Sequence, residues 1–233
     1  IVTPVSHLFF KKANADKISK YSDYLEIRER TINLNFEKER FFHCDQDLTL
    51  PWSNDFKSLL EKILIKKTKI KYITFQATRC CARAKIKNEI FILSGKKFSK
   101  NEMLKEAKKN LKWMKKKFGN NLKIGLENNN YYPTSAYDII SEGSFISEVI
   151  RSNKLFFLFD LAHAQVTASN KNIKFDKYID SLPMNEMLQM HICKPKISKK
   201  ISKDTHYLPD DRMFQQIKII SKKYRNLKFF TIE

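Results

Sequence analysis

Glycine and proline are scarce in this chain, at 4 and 6 of 233 residues. So few turn-formers exclude a loop-rich or low-complexity protein and leave no Gly-rich phosphate loop. No apolar run approaches the roughly 18 residues of a membrane-crossing helix, and no signal-peptide pattern is present. The 4 cysteines, Cys44, Cys80, Cys81 and Cys193, show no C-x-x-C spacing. The adjacent Cys80 and Cys81 read as packing, and the pattern predicts a reducing, cytoplasmic setting. Arginine is short as well, supplying 8 of the 45 basic residues. The net charge of +20 is therefore mostly lysine, spread over nearly every predicted helix. We read it as a solvated basic exterior and not as a nucleic-acid surface, which would draw on arginine interleaved with aromatics.

What the chain has is 42% hydrophobic residues in short apolar runs that alternate with longer amphipathic ones, enough for one domain with a large core. The runs predict strands at Val2–Phe10, Tyr24–Arg28, Phe41–Asp45, Lys71–Gln76, Leu122–Glu127, Leu155–Asp160, Met187–Ile192 and Leu227–Glu233. Helices are expected at Lys11–Tyr21, Ser53–Lys67, Ser99–Phe118, Ser144–Ser152, Phe175–Ser181 and Asp210–Tyr224. Ser99 and Glu102 form a capping-box pattern, and Gly119 follows as a stop. Residues 82–97 read as an excursion with a small hairpin. Eight strands alternating with helices predict an α/β fold, a (β/α)8 TIM barrel lacking a regular final helix, as one domain over residues 1–233.

In such barrels the reactive side chains stand at the carboxyl ends of the strands. Those ends carry Glu26, His43, Gln76, Glu127, Asp160, His191 and Glu233. The loops expected just beyond add His163 and the pair Asp204 and His206, so four of the 5 histidines fall at or just past a strand end. Imidazoles and carboxylates in one barrel mouth suit iron, zinc or manganese. Their number exceeds the needs of one ion, and two or three would fit. Asn128 is expected to hold its turn and support a ligand, and His7 to line the pocket. Glu26 is expected to pair with Arg28 or Arg79 and orient other groups.

The stretches GLENNN, FDLAHA, MHI, DTH and TIE, in this order, resemble the xylose-isomerase-like TIM barrels. Within them DLAHAQVTA, YIDSLP and MLQMHI are most similar to the multinuclear non-haem iron-dependent oxidative enzymes. The resemblance runs from about Tyr24 to Glu233 and is most specific from Lys123 to His206. It implies two or three irons on His43, Glu127, Asp160, His163, His191, Asp204, His206 and Glu233, with Glu127, His163 and Glu233 in catalysis. It also implies dioxygen-dependent modification of a peptide or small molecule, often at cysteine, with a partner protein presenting the peptide. Gln76 departs from the histidine that such enzymes often carry on the fourth strand. The alternatives are a sugar isomerase or epimerase with one divalent ion and an AP-endonuclease-like zinc phosphodiesterase.

Overall fold

A computed structural model describes residues 1–233. In chain order its strands are β1 (Val2–Pro4), β2 (Tyr24–Arg28), β3 (Glu39–Asp47), β4 (Tyr72–Gln76), β5 (Cys81–Lys87), β6 (Ile90–Lys97), β7 (Lys123–Glu127), β8 (Phe156–Asp160), β9 (Met187–Ile192), β10 (Lys194–Lys196), β11 (Lys203–Tyr207) and β12 (Phe229–Ile232). The helices are α1 (Lys12–Lys20), α2 (Asn54–Lys66), α3 (Lys100–Phe118), α4 (Gly143–Asn153), α5 (Leu161–Asn170), α6 (Phe175–Ser181) and α7 (Asp211–Lys223). Eight parallel strands close into a barrel in the order β1-β12-β9-β8-β7-β4-β3-β2, and each corresponds to a strand expected from the sequence. No helix of the chain is long and apolar enough to cross a membrane.

Strand alternation sorts the barrel interior into layers. Tyr72 on β4 and Phe229 on β12 belong to strands that do not pair, yet their rings lie 5.2 Å apart, so they meet through the lumen. Phe41 stacks on Tyr72 at 4.5 Å and Tyr24 packs edge-on to Phe229 at 6.0 Å, completing an aromatic floor. Two residues further along the same strands stand Glu26, His43, Thr74 and Thr231, and two further still Arg28, Gln76 and Glu233. The lumen thus passes from aromatic to ionisable within about 7 Å of strand rise per side-chain pair. Gly125 on β7 makes room for this packing, because a Cβ there would meet the Phe156 ring.

Three local expectations are corrected. The first strand stops at Pro4 and not at Phe10, because the Ser6 hydroxyl accepts the Leu8 amide at 3.3 Å and starts a 3-10 turn over His7–Phe10. Residues 161–170 form helix α5, capped by Asp160, where no helix was expected. Residues 203–207 are strand β11 of a small hairpin with β10, and not a loop. The excursion after β4 is the expected hairpin, β5 with β6, turning through Asn88 and Glu89 at φ 52° and 68°.

Candidate metal centre

Six barrel strands bring ionisable side chains to one mouth, and β4 adds Gln76. Register places Asp160 beside His191 across β8 and β9, with Thr231 beside His191 across β9 and β12. His191 is fully buried among carboxylates: its Nε2 lies 3.2 Å from Glu26 Oε2, and its Nδ1 lies 3.3 Å from Glu127 Oε1 and 3.2 Å from Glu233 Oε1. Glu127 and His191, far apart in sequence, therefore share the same end of the fold.

Helix α5 delivers His163. Asp160 Oδ1 accepts the His163 amide at 2.7 Å, which is an N-cap bond, and Asn128 fixes the Asp160 backbone from both sides at 2.8 and 2.9 Å. His163 Nδ1 is bonded to the Asn128 carbonyl at 2.8 Å, so it carries the hydrogen. That leaves Nε2, 3.3 Å from Asp204 Oδ2, as the nitrogen that could bind an ion. Fixing one ring nitrogen to a backbone carbonyl is how proteins orient metal-binding imidazoles.

The β10–β11 hairpin closes the mouth. Asp204 lies 3.5 Å from His206 Nε2, which in turn lies 3.3 Å from Glu233 Oε2. His206 adopts φ 47°, a left-handed conformation that turns its ring back toward the barrel. All eight predicted ligands thus form one connected cluster. Glu26 pairs with Arg28 at 2.9 Å, whereas Arg79 pairs with Asp47, also at 2.9 Å. Gln76 bonds His43 Nε2 at 3.0 Å. His7 is exposed on the turn after β1 and makes no hydrogen bond to the cluster.

Sequence reading passed over Cys193 as a metal-site neighbour. Its buried thiol donates to Asp204 Oδ1 at 3.3 Å and stands with Asp204 and His206 as a potential donor group. Its position directly after the MHI motif was the available signal.

Arg28, against Glu26 and Glu233, is the one fixed positive charge in the cluster. Burial opposes ionisation of Asp160 and lifts it to about 7. Burial also disfavours a charged His191, but Glu233 and Glu26 outweigh it and hold that imidazole well above its usual range. Asp160 does the same for His163. Against the same desolvation, His191 and Arg28 hold Glu26 down to about 2. Protons thus stand where the donor set would place cations.

The residues fit divalent metal. Glu127 Oε2, Asp160 Oδ2 and His191 Nδ1 are buried with no hydrogen-bond partner, a costly state unless something else binds them. Four donor groups each hold their ligand atoms within 4.8 Å of one another, and the first three are linked through His191 and Asp160: Glu26, His43 and His191; Glu127, Asp160 and His163; Asp160, His191 and Glu233; and Cys193, Asp204 and His206. Asp160 belongs to two of them, as a bridging carboxylate would.

Comparison with known proteins agrees with this architecture. The family model for the RiPP precursor modification enzyme MbnB/TglH/ChrH matches residues 98–226. A curated relative, a UPF0276 protein of Caulobacter vibrioides, is 30% identical over 84 residues, spanning 36% of this chain and only 30% of its own length. A solved D-psicose 3-epimerase superposes with a TM-score of 0.62 at 10% identity, over 99% of this chain and 84% of its own. An L-ribulose 3-epimerase does so with a TM-score of 0.55 at 9% identity, over 100% and 80%. At such identity these structures share the fold alone.

Proposed function

This chain belongs to the RiPP precursor modification enzyme family MbnB/TglH/ChrH, and from that premise we propose that it is a metal-dependent oxidative enzyme that modifies a cysteine-containing peptide, with iron as its metal. The observation that carries the reading is the convergence of buried, partnerless carboxylate and imidazole atoms inside a chain of this family. Glu127, Asp160, His191 and Glu233 would form the core of the metal cage, completed by His163, Asp204 and His206, with His43 beside it. Bound iron would supply electrons to dioxygen and Lewis acidity to a substrate sulfur.

The chain's own groups do the rest. Asn128 locks the tautomer of His163, and Arg28 pins the Glu233 carboxylate in the mouth. His206 is the one cluster imidazole open to solvent, so it is the natural group to pass protons between water and Glu233. Glu127 Oε1 lies 3.9 Å from the His163 Nδ1 that Asn128 holds, so proton handling inside the mouth falls to the carboxylate. The site is reached from the hairpin-rimmed mouth, where a partner protein would present the peptide. All four cysteines are free, in keeping with work in a reducing cytoplasm.

The test is reconstitution. Anaerobically purified protein is loaded with ferrous iron, exposed to oxygen with a cysteine-containing peptide, and the peptide is weighed by mass spectrometry. Oxygen-dependent mass change that disappears in Asp160→Ala supports the proposal. Solvent deuterium entering a ketose without oxygen uptake would instead place the chain with the epimerases, and metal-dependent cleavage of abasic duplex with the endonucleases.

A further inference from the structure

The four donor groups are not equally free to take an ion. At the corner made by Glu26, His43 and His191, nearly every donor atom is already engaged by a protein group. Glu26 Oε2 accepts Gln189 Nε2 at 2.6 Å, and Glu26 Oε1 faces Arg28 Nη2 at 2.9 Å. His43 Nδ1 is bonded to Thr74 Oγ1 at 2.8 Å, and its Nε2 is bonded to the Gln76 amide whichever way that amide is turned. Glu26 Oε1 has no hydrogen-bond partner beyond its ion pair with Arg28, and Glu127 Oε2 faces this corner unpartnered, 3.6 Å from His43 Nε2.

The Arg28 guanidinium lies within this corner. It contacts Glu26 on β2 and also Glu233 after β12, strands separated only by β1, so it bridges two carboxylates across the barrel seam as a divalent ion would. Arginine keeps its charge under any physiological condition, so this positive charge cannot be withdrawn.

Charge balance points the same way. Glu26, Glu127, Asp160, Asp204 and Glu233 are five largely buried carboxylates, and Arg28 is the only lysine or arginine paired with any of them. With neutral imidazoles that leaves four negative charges, which two divalent ions neutralise. A third would leave a buried excess of positive charge, which a low-dielectric site disfavours.

We propose that the mouth holds two divalent ions and that Arg28, seconded by Gln76, takes the place of a third at the Glu26–His43 corner. The two ions would use Glu127, Asp160, His191 and Glu233 on one side and His163, Asp204 and His206 on the other. The inference rests on the metal reading of the site given above, and its failure is separable from failure of that reading.

The experiment is metal counting, with no activity assay. Ferrous-loaded and, separately, zinc-loaded protein is desalted and its metal per chain measured by plasma mass spectrometry. The expected result is two equivalents for the natural chain, two for Glu26→Gln, and three for the double variant Arg28→Ala/Gln76→His. Three equivalents in the natural chain, one lost in Glu26→Gln, or a folded double variant that stays at two would overturn the assignment. Should the double variant not fold, the natural chain and Glu26→Gln decide it. No bound metal at all would overturn the underlying metal reading together with this one, whereas three ions would overturn this one only.

Discussion

Asp160 accepts the backbone amide of His163 at 2.7 Å, so a single carboxylate ends strand β8, caps helix α5 and aims its second oxygen, unpartnered and buried, into the cluster. Cap and ligand roles can be separated by substitution. Asparagine caps helices as well as aspartate does. Asp160→Asn is therefore expected to leave the stability of metal-free protein within about 1 kcal/mol of the natural chain while abolishing metal retention. Asp160→Ala should lose the metal and a further ~1 kcal/mol, the usual value of a cap. Denaturant titration and metal analysis of the two variants check this.

The Asn128 side chain holds the Asp160 backbone through two bonds, and its own carbonyl holds the His163 ring. Asn128→Ala keeps the carbonyl and removes the side-chain bonds. Metal affinity is expected to fall about 10- to 100-fold, as it does when groups that orient ligands are removed. Competition with a calibrated chelator dye measures it, and an unchanged affinity would mean that Asp160 needs no such support.

Removing metal should destabilise the protein. An ion held at a hundred times its dissociation constant contributes about 2.7 kcal/mol. For a chain of this size each kcal/mol moves the melting temperature by about 2–4 °C. Chelation is thus expected to lower it by roughly 5–10 °C. Melting curves with and without chelator, at fixed pH, are the check.

Away from the mouth, Glu102 closes the capping box of α3. Lys96 and then the Ser99 amide and hydroxyl hold its carboxyl down to about 2. The group's contribution is present above its ordinary pKa near 4.5 and is lost as pH falls toward 2. Glu102→Gln keeps the reach to Ser99 without the charge, so its stability should depend less steeply on pH between about 5 and 2 than that of the natural chain. Urea unfolding across that range reads the difference.

Much of this was legible in the sequence, for physical reasons. Barrel strands buried on both faces are apolar runs that stop where a carboxylate or imidazole begins, and that junction marks Glu127, Asp160 and His191 by eye. Helix α3 declares itself through Ser99, Glu102 and Gly119. Helix α5 did not, because Leu161, Ala162, Ala164, Val166 and Ala168 are buried on several sides and give little amphipathic rhythm. The hairpin carrying Asp204 and His206 was hidden for another reason: its first strand is only Lys194–Lys196 and contains Pro195. The Arg28 bridge between Glu26 and Glu233 depends on barrel closure, which joins residues more than two hundred positions apart, and no local pattern encodes it.

The most direct test of the account is an anomalous difference map at the iron edge from crystals grown without oxygen. Peaks are expected in the barrel mouth bonded to Glu127, Asp160, His191 and Glu233, with His163, Asp204 and His206 on a neighbouring ion. A mouth without anomalous density in protein saturated with ferrous iron would contradict it.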